Sequence, residues 1–519
     1  MTAYVFGANI LENLTTGMYQ DSKVIYREYI QNSCDQIDKA VREGILRDGD
    51  GLVDIQLDVA SRSITIEDNA TGIPADLFVR TLGNIADSNK VVGEDKGFRG
   101  IGRLCGLAYC SRLVFTSSAK GERKISTLRC DAAKMRELIE KNVHGEKHTA
   151  NEVLSAIYDF DEQETDDLDA HFFRVEMFGI NAENSDLLDF QQVKEYLSFV
   201  APVPYQNTFY YRSDIYKHAK ALDVEIDEYK IELNGEPVFK TYSTILKETS
   251  GTKYDDIFNV YFEDFFDEKG KLFAWMWFGL CKFQKAIPPT NQMRGLRLRK
   301  DNIQIGGENV LQKLFKEDRG NNYFIGEVFA IDKELIPNSQ RDYFNETPAR
   351  VFLERKLRTY FNDELNRLYR QGSEVNTSYK KIDLYEKKEA AFKEQESNGF
   401  IDNAHHEREK ENLAELKKDA AFAQEKIDRI AARSGGLMQI VTHRIVNERQ
   451  EPSVPIETPH VDVDATLPEN TKPVLRTDKL SRYSKSERKL ISKIFNLILA
   501  AVDSETAEKV ISQIEEGLQ

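Results

Sequence analysis

"REYIQNSCDQID" (residues 27–38) is the stretch on which the fold turns. Read as a helix, it sets Glu28, Asn32 and Asp35 on one side, because steps of four and three residues nearly complete whole turns. Ile30, Cys34, Ile37 and Val41 fall on the opposite side at the same spacing. An acid, an amide and a second acid therefore line up away from the apolar stripe. Taken alone, that face is either solvated or the wall of a site.

Two later stretches bear on the choice. "TIEDNATGIPADLF" (65–78) runs from a strand into an acid, then a loop with Gly72, then Ile73-Pro74 opening another helix. "GEDKGFRGIGRL" (93–104) places Gly97, Gly100 and Gly102 ahead of an apolar helical pattern. Glycines there let backbone N–H groups surround phosphate oxygens at a helix N-terminus. Such a glycine pattern by itself also fits a lid or a simple turn. The three elements in this order and at these separations are together a far stronger signal than any one of them.

The surrounding chain is organised as α+β. "VDIQLDV" (53–59) and "SITIED" (63–68) read as a hairpin, and "SRLVFTSSAKGERKISTLRC" and "FFRVEMFGI" add strands without regular βαβ alternation over residues 1–185. A second α+β segment follows over 190–372, with strands in "YKIELNGEPVF", "FAWMWFGLCKF", "GLRLRKDNIQIG" and "YFIGEVFAI", and a helix that ends at Gly372. Residues 374–433 are charged and helical, with a heptad seam of Leu413, Leu416, Ala420, Ala423, Ile427 and Ile430. That seam suits packing on its own domain or an intermolecular coiled coil. Residues 434–480, proline-rich from 446 onward, read as a linker. In 481–519 two amphipathic helices follow, the first with Leu490, Ile494, Leu497 and Ala501 on one face.

Bulk properties bound the partners. There are 519 residues with a net charge of −16, no run of eighteen apolar residues and no basic-then-apolar N-terminal leader. Five cysteines without a C-x-x-C pair fit free thiols in a reducing cytoplasm. The acidic balance disfavours DNA binding by the whole surface. A local basic run, "MRGLRLRK" (293–300), carries Arg294, Arg297, Arg299 and Lys300 and reads as the solvated face of a strand with buried Leu296 and Leu298, or as a local basic groove. His405-His406 reads as exposed.

The combination resembles the GHKL ATPases (gyrase, heat-shock chaperone, histidine kinase and MutL), which share the Bergerat nucleotide fold. Within them "ILENLTTGMYQDSKVIYREYIQNSCDQIDKA" (10–40) and "ITIEDNATGIPADLFVRTLGNIADSNK" (64–90) look most like the HtpG-type ninety-kilodalton heat-shock chaperones, while "GFRGIGRL" has a MutL/MORC flavour. The sequence departs from the usual pattern at Ala70, where a glycine is common, and at Asp87, where the chaperone lid has lysine.

The resemblance implies an N-terminal Bergerat α/β sandwich, an α+β middle (transducer) domain and a helical C-terminal region. It implies ATP and Mg²⁺ as cofactors, with Glu28 as general base and Asn32 holding the metal. Asp35 would line the pocket, and Asp68 would accept a hydrogen bond from the adenine amino group. Gly72 and Ile73 would pass close to the base. Ser88, Gly97, Phe98, Arg99, Gly100, Ile101 and Gly102 would form a mobile lid on the nucleotide. "DKELIPNSQRDYF" (332–344) resembles the middle-domain catalytic loop, which makes Arg341 the γ-phosphate ligand and Gln340 its helper. "PPTNQMRG" (288–295) offers Arg294 as the alternative, and Arg341 also fits a surface turn.

The implied activity is an ATP-driven clamp that dimerises with ATP and serves a protein client or companion in the cytoplasm. The alternative is a nucleic-acid-linked MutL/MORC-type ATPase. A histidine kinase expects a phospho-accepting helix upstream, for which the 27 residues before Glu28 leave no room. A scaffold without turnover has no need of Glu28.

Overall fold

The computed structural model describes residues 6–15, 17, 21–85, 102–144, 146–433, 435–450 and 473–518. The chain divides into two units, one of residues 1–281 and 286–366 and one of residues 282–285 and 367–519.

The first unit is built on two sheets. Its eight-stranded sheet has the order β5-β4-β3-β6-β2-β1-β7-β8. The strands are β1 (Leu52–Asp58), β2 (Ser63–Asp68), β3 (Arg112–Ser118), β4 (Lys124–Asp131), β5 (Tyr158–Glu164), β6 (Phe172–Phe178), β7 (Lys230–Leu233) and β8 (Glu236–Pro237). The expected hairpin is present as β1 and β2, paired Val53 to Asp68 through Asp58 to Ser63. Period-two alternation sends Val53, Ile55, Ile64 and Ile66 into the core. The outward face keeps polar pairs such as Glu67 with Arg174. β7 joins β1 in parallel, although it lies C-terminal to residue 190.

Helices α1 (Asn9–Leu14), α2 (Val24–Arg42), α3 (Ala75–Gly83), α4 (Ala132–Val143), α5 (Ala150–Ile157) and α6 (Phe190–Val200) share the core of this sheet. The mixed architecture is α+β. Helix α7 (Arg212–Ala221) follows before β7.

β9 (Ile245–Lys247) and β10 (Lys253–Asp256) form a short hairpin. The second sheet contains β11 (Asn259–Phe266), β12 (Leu272–Leu280), β13 (Gly295–Lys300), β14 (Ile303–Ile305) and β15 (Ile325–Ala330), in the order β11-β12-β15-β13-β14. β12 reads "LFAWMWFGL" and is buried on both faces, as a near-continuous apolar run requires. Helix α8 (Pro348–Tyr360) closes this region, with Thr347 capping it by accepting from the Arg350 N–H.

The basic run is corrected here. Every residue of β13 is buried, so Arg297, Arg299 and Lys300 have no solvated side. The strand lies inside the sheet between β15 and β14, and both its faces are covered. The charges are satisfied internally: Arg297 sits over the Phe199 ring and bonds to Gln304, while Lys300 donates to the Ile331 and Asp332 carbonyls.

The second unit is helical, with α9 (Asn366–Asn398), α10 (Asn403–Arg433), α11 (Leu437–Gln450), α12 (Lys485–Ala501) and α13 (Ser504–Leu518). α9 and α10 run antiparallel, as the pairs Lys426–Glu374, Lys381–Asp419 and Lys388–Glu409 require. The heptad seam buries Ala420, Ala423, Ile427 and Ile430 within this unit.

Three further expectations change. Gly372 does not end a helix but lies inside α9, where an added Cβ would stand 3.1 Å from Phe283 Cβ, so it serves close packing. Residues 437–450, read as linker, form α11, held by a two-pronged Arg449–Asp383 pair and by burial of Met438, Val441 and Ile445. His405 is buried and His406 half-buried, because the break between α9 and α10 packs Phe400 against both rings. Of the α12 stripe, Leu490, Ile494, Leu497 and Ala501 stay exposed, while Phe495 packs with Ile401 and Ile511.

Candidate nucleotide site

The polar side of α2 is buried. Glu28 is 9% exposed, Asp35 4% and Gln31 1%, so this is no solvated helix face. Burying acids on both turns of a helix costs free energy unless charge or hydrogen bonding compensates. Asn32, on the same side, is half-buried.

Compensation for Glu28 comes from two arginines and a close backbone. Arg27 Nη2 lies 3.4 Å and Arg341 Nε 3.6 Å from Glu28 Oε1. On the other oxygen, the 102–108 turn passes so near that a Cβ on Gly102 would sit 2.5 Å from Glu28 Oε2. Gly102, expected on the phosphates, is thus placed against the general-base candidate. Burial, and after it the same carboxylate, pushes the Cys105 thiol up.

Arg341 reaches this position from the tip of a tight loop. Pro337 and Phe344 bridge its base, and the Asn338 N–H donates to the Tyr343 carbonyl at 2.9 Å. Arg341 itself has φ +54°, and its carbonyl accepts from the Gly306 N–H at 2.8 Å. A non-glycine residue in that left-handed region is a strained position held by its surroundings. Gln340 takes part through its backbone: its carbonyl accepts from Arg27 Nη2 at 3.1 Å, while its side chain is exposed. The surface-turn alternative for Arg341 does not hold, since its side chain is buried. Arg294 is half-buried and forms no ion pair with Glu28 among the described residues.

The second wall follows from strand parity. Asp68 shares the inward face of β2 with Ile64 and Ile66, which puts a carboxylate at 1% exposure at the end of a core strand. Its Oδ1 accepts the Ala70 N–H at 3.1 Å. Beyond it, the chain is locked against β3: Ser117 Oγ accepts the Ile73 N–H at 2.7 Å and donates to the Phe172 carbonyl at 2.9 Å. Gly72 has φ +64°, and a Cβ there would meet the Ser118 carbonyl oxygen at 1.9 Å. The structure supplies its own reason for this glycine, which is the approach of β3. Thr71 Oγ1 lies 3.0 Å from Gln36 Oε1 and ties the loop to α2.

The structure therefore brings Glu28, Gly102 and Arg341 together, joins the Gln340 backbone to them through Arg27, and sets Asp68, Gly72 and Ile73 in one locked loop. Ser88, Gly97, Phe98, Arg99, Gly100 and Ile101 lie outside the described residues. Two residues escaped the sequence reading. Arg27 had a signal, a cation directly before the acid on the site helix. Gln31 had none, yet both its amide atoms are buried without a hydrogen-bond partner among the described residues.

Residues 20–163 match the family described as Histidine kinase-, DNA gyrase B-, and HSP90-like ATPase. The N-terminal domain is of the GHKL ATPase type. "Chaperone protein HtpG" of Bordetella parapertussis is 38% identical over 85 residues, which are 15% of this chain and 13% of that protein. Its namesakes in Acinetobacter baylyi and Methylibium petroleiphilum are 29% and 28% identical over 132 and 142 residues. Those alignments cover 22% and 24% of this chain, and 21% and 23% of the relatives. The chain thus spans under a quarter of the length of these curated relatives.

No helix among the described residues is long and apolar enough to cross a membrane. Nor do the described residues gather three or more His, Cys, Asp or Glu side chains into a metal cage. Magnesium serving a nucleotide takes one or two protein oxygens plus phosphates and water, and needs no such cage. A half-buried amide at Asn32 beside Glu28 and Asp35 fits that donor set.

Proposed function

We propose that this chain hydrolyses Mg-ATP and works as a chaperone-like conformational clamp. The observation that carries the proposal is the 3.6 Å approach of Arg341, from the second sheet's loop, to the buried Glu28 on α2. Phosphoryl transfer demands positioning and charge neutralisation more than covalent chemistry. A carboxylate on a rigid helix and a guanidinium on a tight loop provide one group of each kind.

Arg27 and Arg341 both approach one carboxylate oxygen of Glu28. On binding ATP, Arg341 turns to the γ-phosphate and Glu28 is released to orient water and take its proton. Asp68 holds the adenine amino group, and Asp35 lines the pocket. Asn32 would hold Mg²⁺, which neutralises phosphate charge when bound. Lid closure over the triphosphate, association of two N-terminal domains and reopening after hydrolysis complete the cycle. A protein client or companion, and a cytoplasmic setting, belong to the same proposal. One feature weighs against the nucleic-acid alternative: the charges of β13 are committed inside the fold.

Steady-state hydrolysis of Mg-ATP by wild type and Glu28→Ala, with nucleotide binding in parallel, tests the proposal. The expected result is a variant that binds ATP and no longer turns it over. Equal turnover in both proteins would remove Glu28 from the mechanism.

A further inference from the structure

The helix bearing Glu28 and the loop bearing Arg341 belong to different sheets of the first unit, so their approach needs a mechanical basis. One lies under the junction between the sheets. Glu327 on β15, Arg299 on β13 and Lys240 just beyond β8 are all fully buried. Lys240 Nζ donates to Glu327 Oε2 at 3.2 Å and to Asn302 Oδ1 at 2.6 Å. Arg299 Nε donates to Glu327 Oε1 at 2.5 Å. Tyr205, Tyr242 and Trp277 complete the carboxylate's shell.

The partners of this cluster fall into two groups. One belongs to the Glu28 side: Arg299 Nη2 donates to the Phe199 carbonyl at the end of α6, which packs on α2, and Asn302 Nδ2 donates to the Asp227 carbonyl before β7. Lys240 follows β8 of the eight-stranded sheet. The other group belongs to the Arg341 side. β15 carries Glu327 and leads into the 337–344 loop, while β14 is followed directly by Gly306, whose N–H donates to the Arg341 carbonyl.

We infer that Lys240, with Glu327 and Arg299, is a positioning device that bolts the Arg341 loop onto the domain carrying Glu28. The inference rests on the ATPase reading above. A cluster serving stability alone has no call for ions, because apolar residues of like volume do that work as well or better. A device that must hold one geometry gains from directional, fully satisfied bonds. Positioning errors of about 1 Å far from the chemistry cost on the order of a hundredfold in rate.

The test uses the full chain in five forms: wild type, Lys240→Met, Tyr242→Phe, Arg341→Ala and Lys240→Met with Arg341→Ala. Expected for Lys240→Met is a kcat about ten- to a hundredfold lower with ATP affinity kept within about twofold. Tyr242→Phe, which keeps volume and fold, shows a smaller loss of the same kind. The double variant is no slower than Arg341→Ala alone. Unchanged kcat in Lys240→Met, or losses that multiply in the double variant, would overturn the inference. Amide hydrogen exchange on the ATP-free proteins gives an independent readout. Lys240→Met and Tyr242→Phe should speed exchange at 338–344, and unchanged protection there overturns the inference. Absence of ATP turnover in wild type would instead strike the ATPase reading, leaving the exchange result to judge the bolt.

Discussion

Replacing Arg341 by methionine removes one of two guanidinium groups that meet Glu28, and its consequence differs between the two states of the site. With Nε 3.6 Å from Oε1, the Coulomb attraction at an effective dielectric of 20 is about 4–5 kcal/mol. Desolvation offsets most of that, and Arg27 still pairs with the same oxygen, so the ATP-free chain should lose only about 1–2 kcal/mol. In the ATP complex the same group is proposed to stabilise charge on the γ-phosphate. Loss of one such preorganised group costs about 10²–10³ in kcat. The expected signature is a kcat down by that factor, ATP affinity within about threefold, and slightly lower stability. Arg341→Lys should recover part of the stability and little of the rate, because a point charge lacks the planar fork. Hydrolysis and binding titrations on Arg341→Met, Arg341→Lys and Arg294→Met decide it. If Arg341→Met turns over at the wild-type rate while Arg294→Met does not, the γ-phosphate ligand comes from the 288–295 loop and the Glu28–Arg341 contact is a resting-state ion pair.

Two other outcomes can be checked. Gly72→Ala puts a Cβ 1.9 Å from the Ser118 carbonyl oxygen at φ +64°, where the left-handed backbone alone costs ~1–2 kcal/mol, so the Asp68 loop must shift. ATP affinity should fall about tenfold or more, equivalent to about 1.4 kcal/mol, in an equilibrium titration; unchanged affinity refutes the locked-loop account. Lys240 faces Glu327, Arg299, Asn302 and Tyr205, with Glu228 nearby, and burial followed by the like charge of Arg299 pulls it down to about 7. A base depressed on folding binds fewer protons folded than unfolded, so its contribution to stability rises with pH from about 7 to the ordinary lysine value of 10.5. Glu327 shifts in the same sense, in a lower pH window. Burial alone would raise it, but Arg299 and Lys240 outweigh burial and bring it to about 2, so its contribution is lost only in strong acid. Urea unfolding followed by tryptophan fluorescence reads this region directly, since both tryptophans, Trp275 and Trp277, sit on β12. The rise with pH should vanish in Lys240→Met.

Much of the architecture and the acids of the candidate site were legible in the sequence. Period-two alternation located β1 and β2 and, by continuing two residues past Ile66, placed Asp68 inward. Steps of three and four put Glu28, Asn32 and Asp35 on one helix side. These are local regularities of the backbone, and a local pattern is what a sequence carries. Whether that helix side faced solvent depended on what covered it, and covering is a long-range matter. Arg341 is more than three hundred residues from Glu28, and its approach follows from sheet order and the Gly306 contact, which no spacing rule encodes. Parity misled for β13 for the same reason. Alternation of leucine and arginine marks an exposed face only when one side of the strand is open, and here neighbouring strands and covering layers close both. The sequence alone determined most of the elements, the parity of β1 and β2 and the candidate acids. The tertiary structure decided which charges are buried and which of them meet, because burial and ion pairing depend on distances between segments that the chain brings together only by folding.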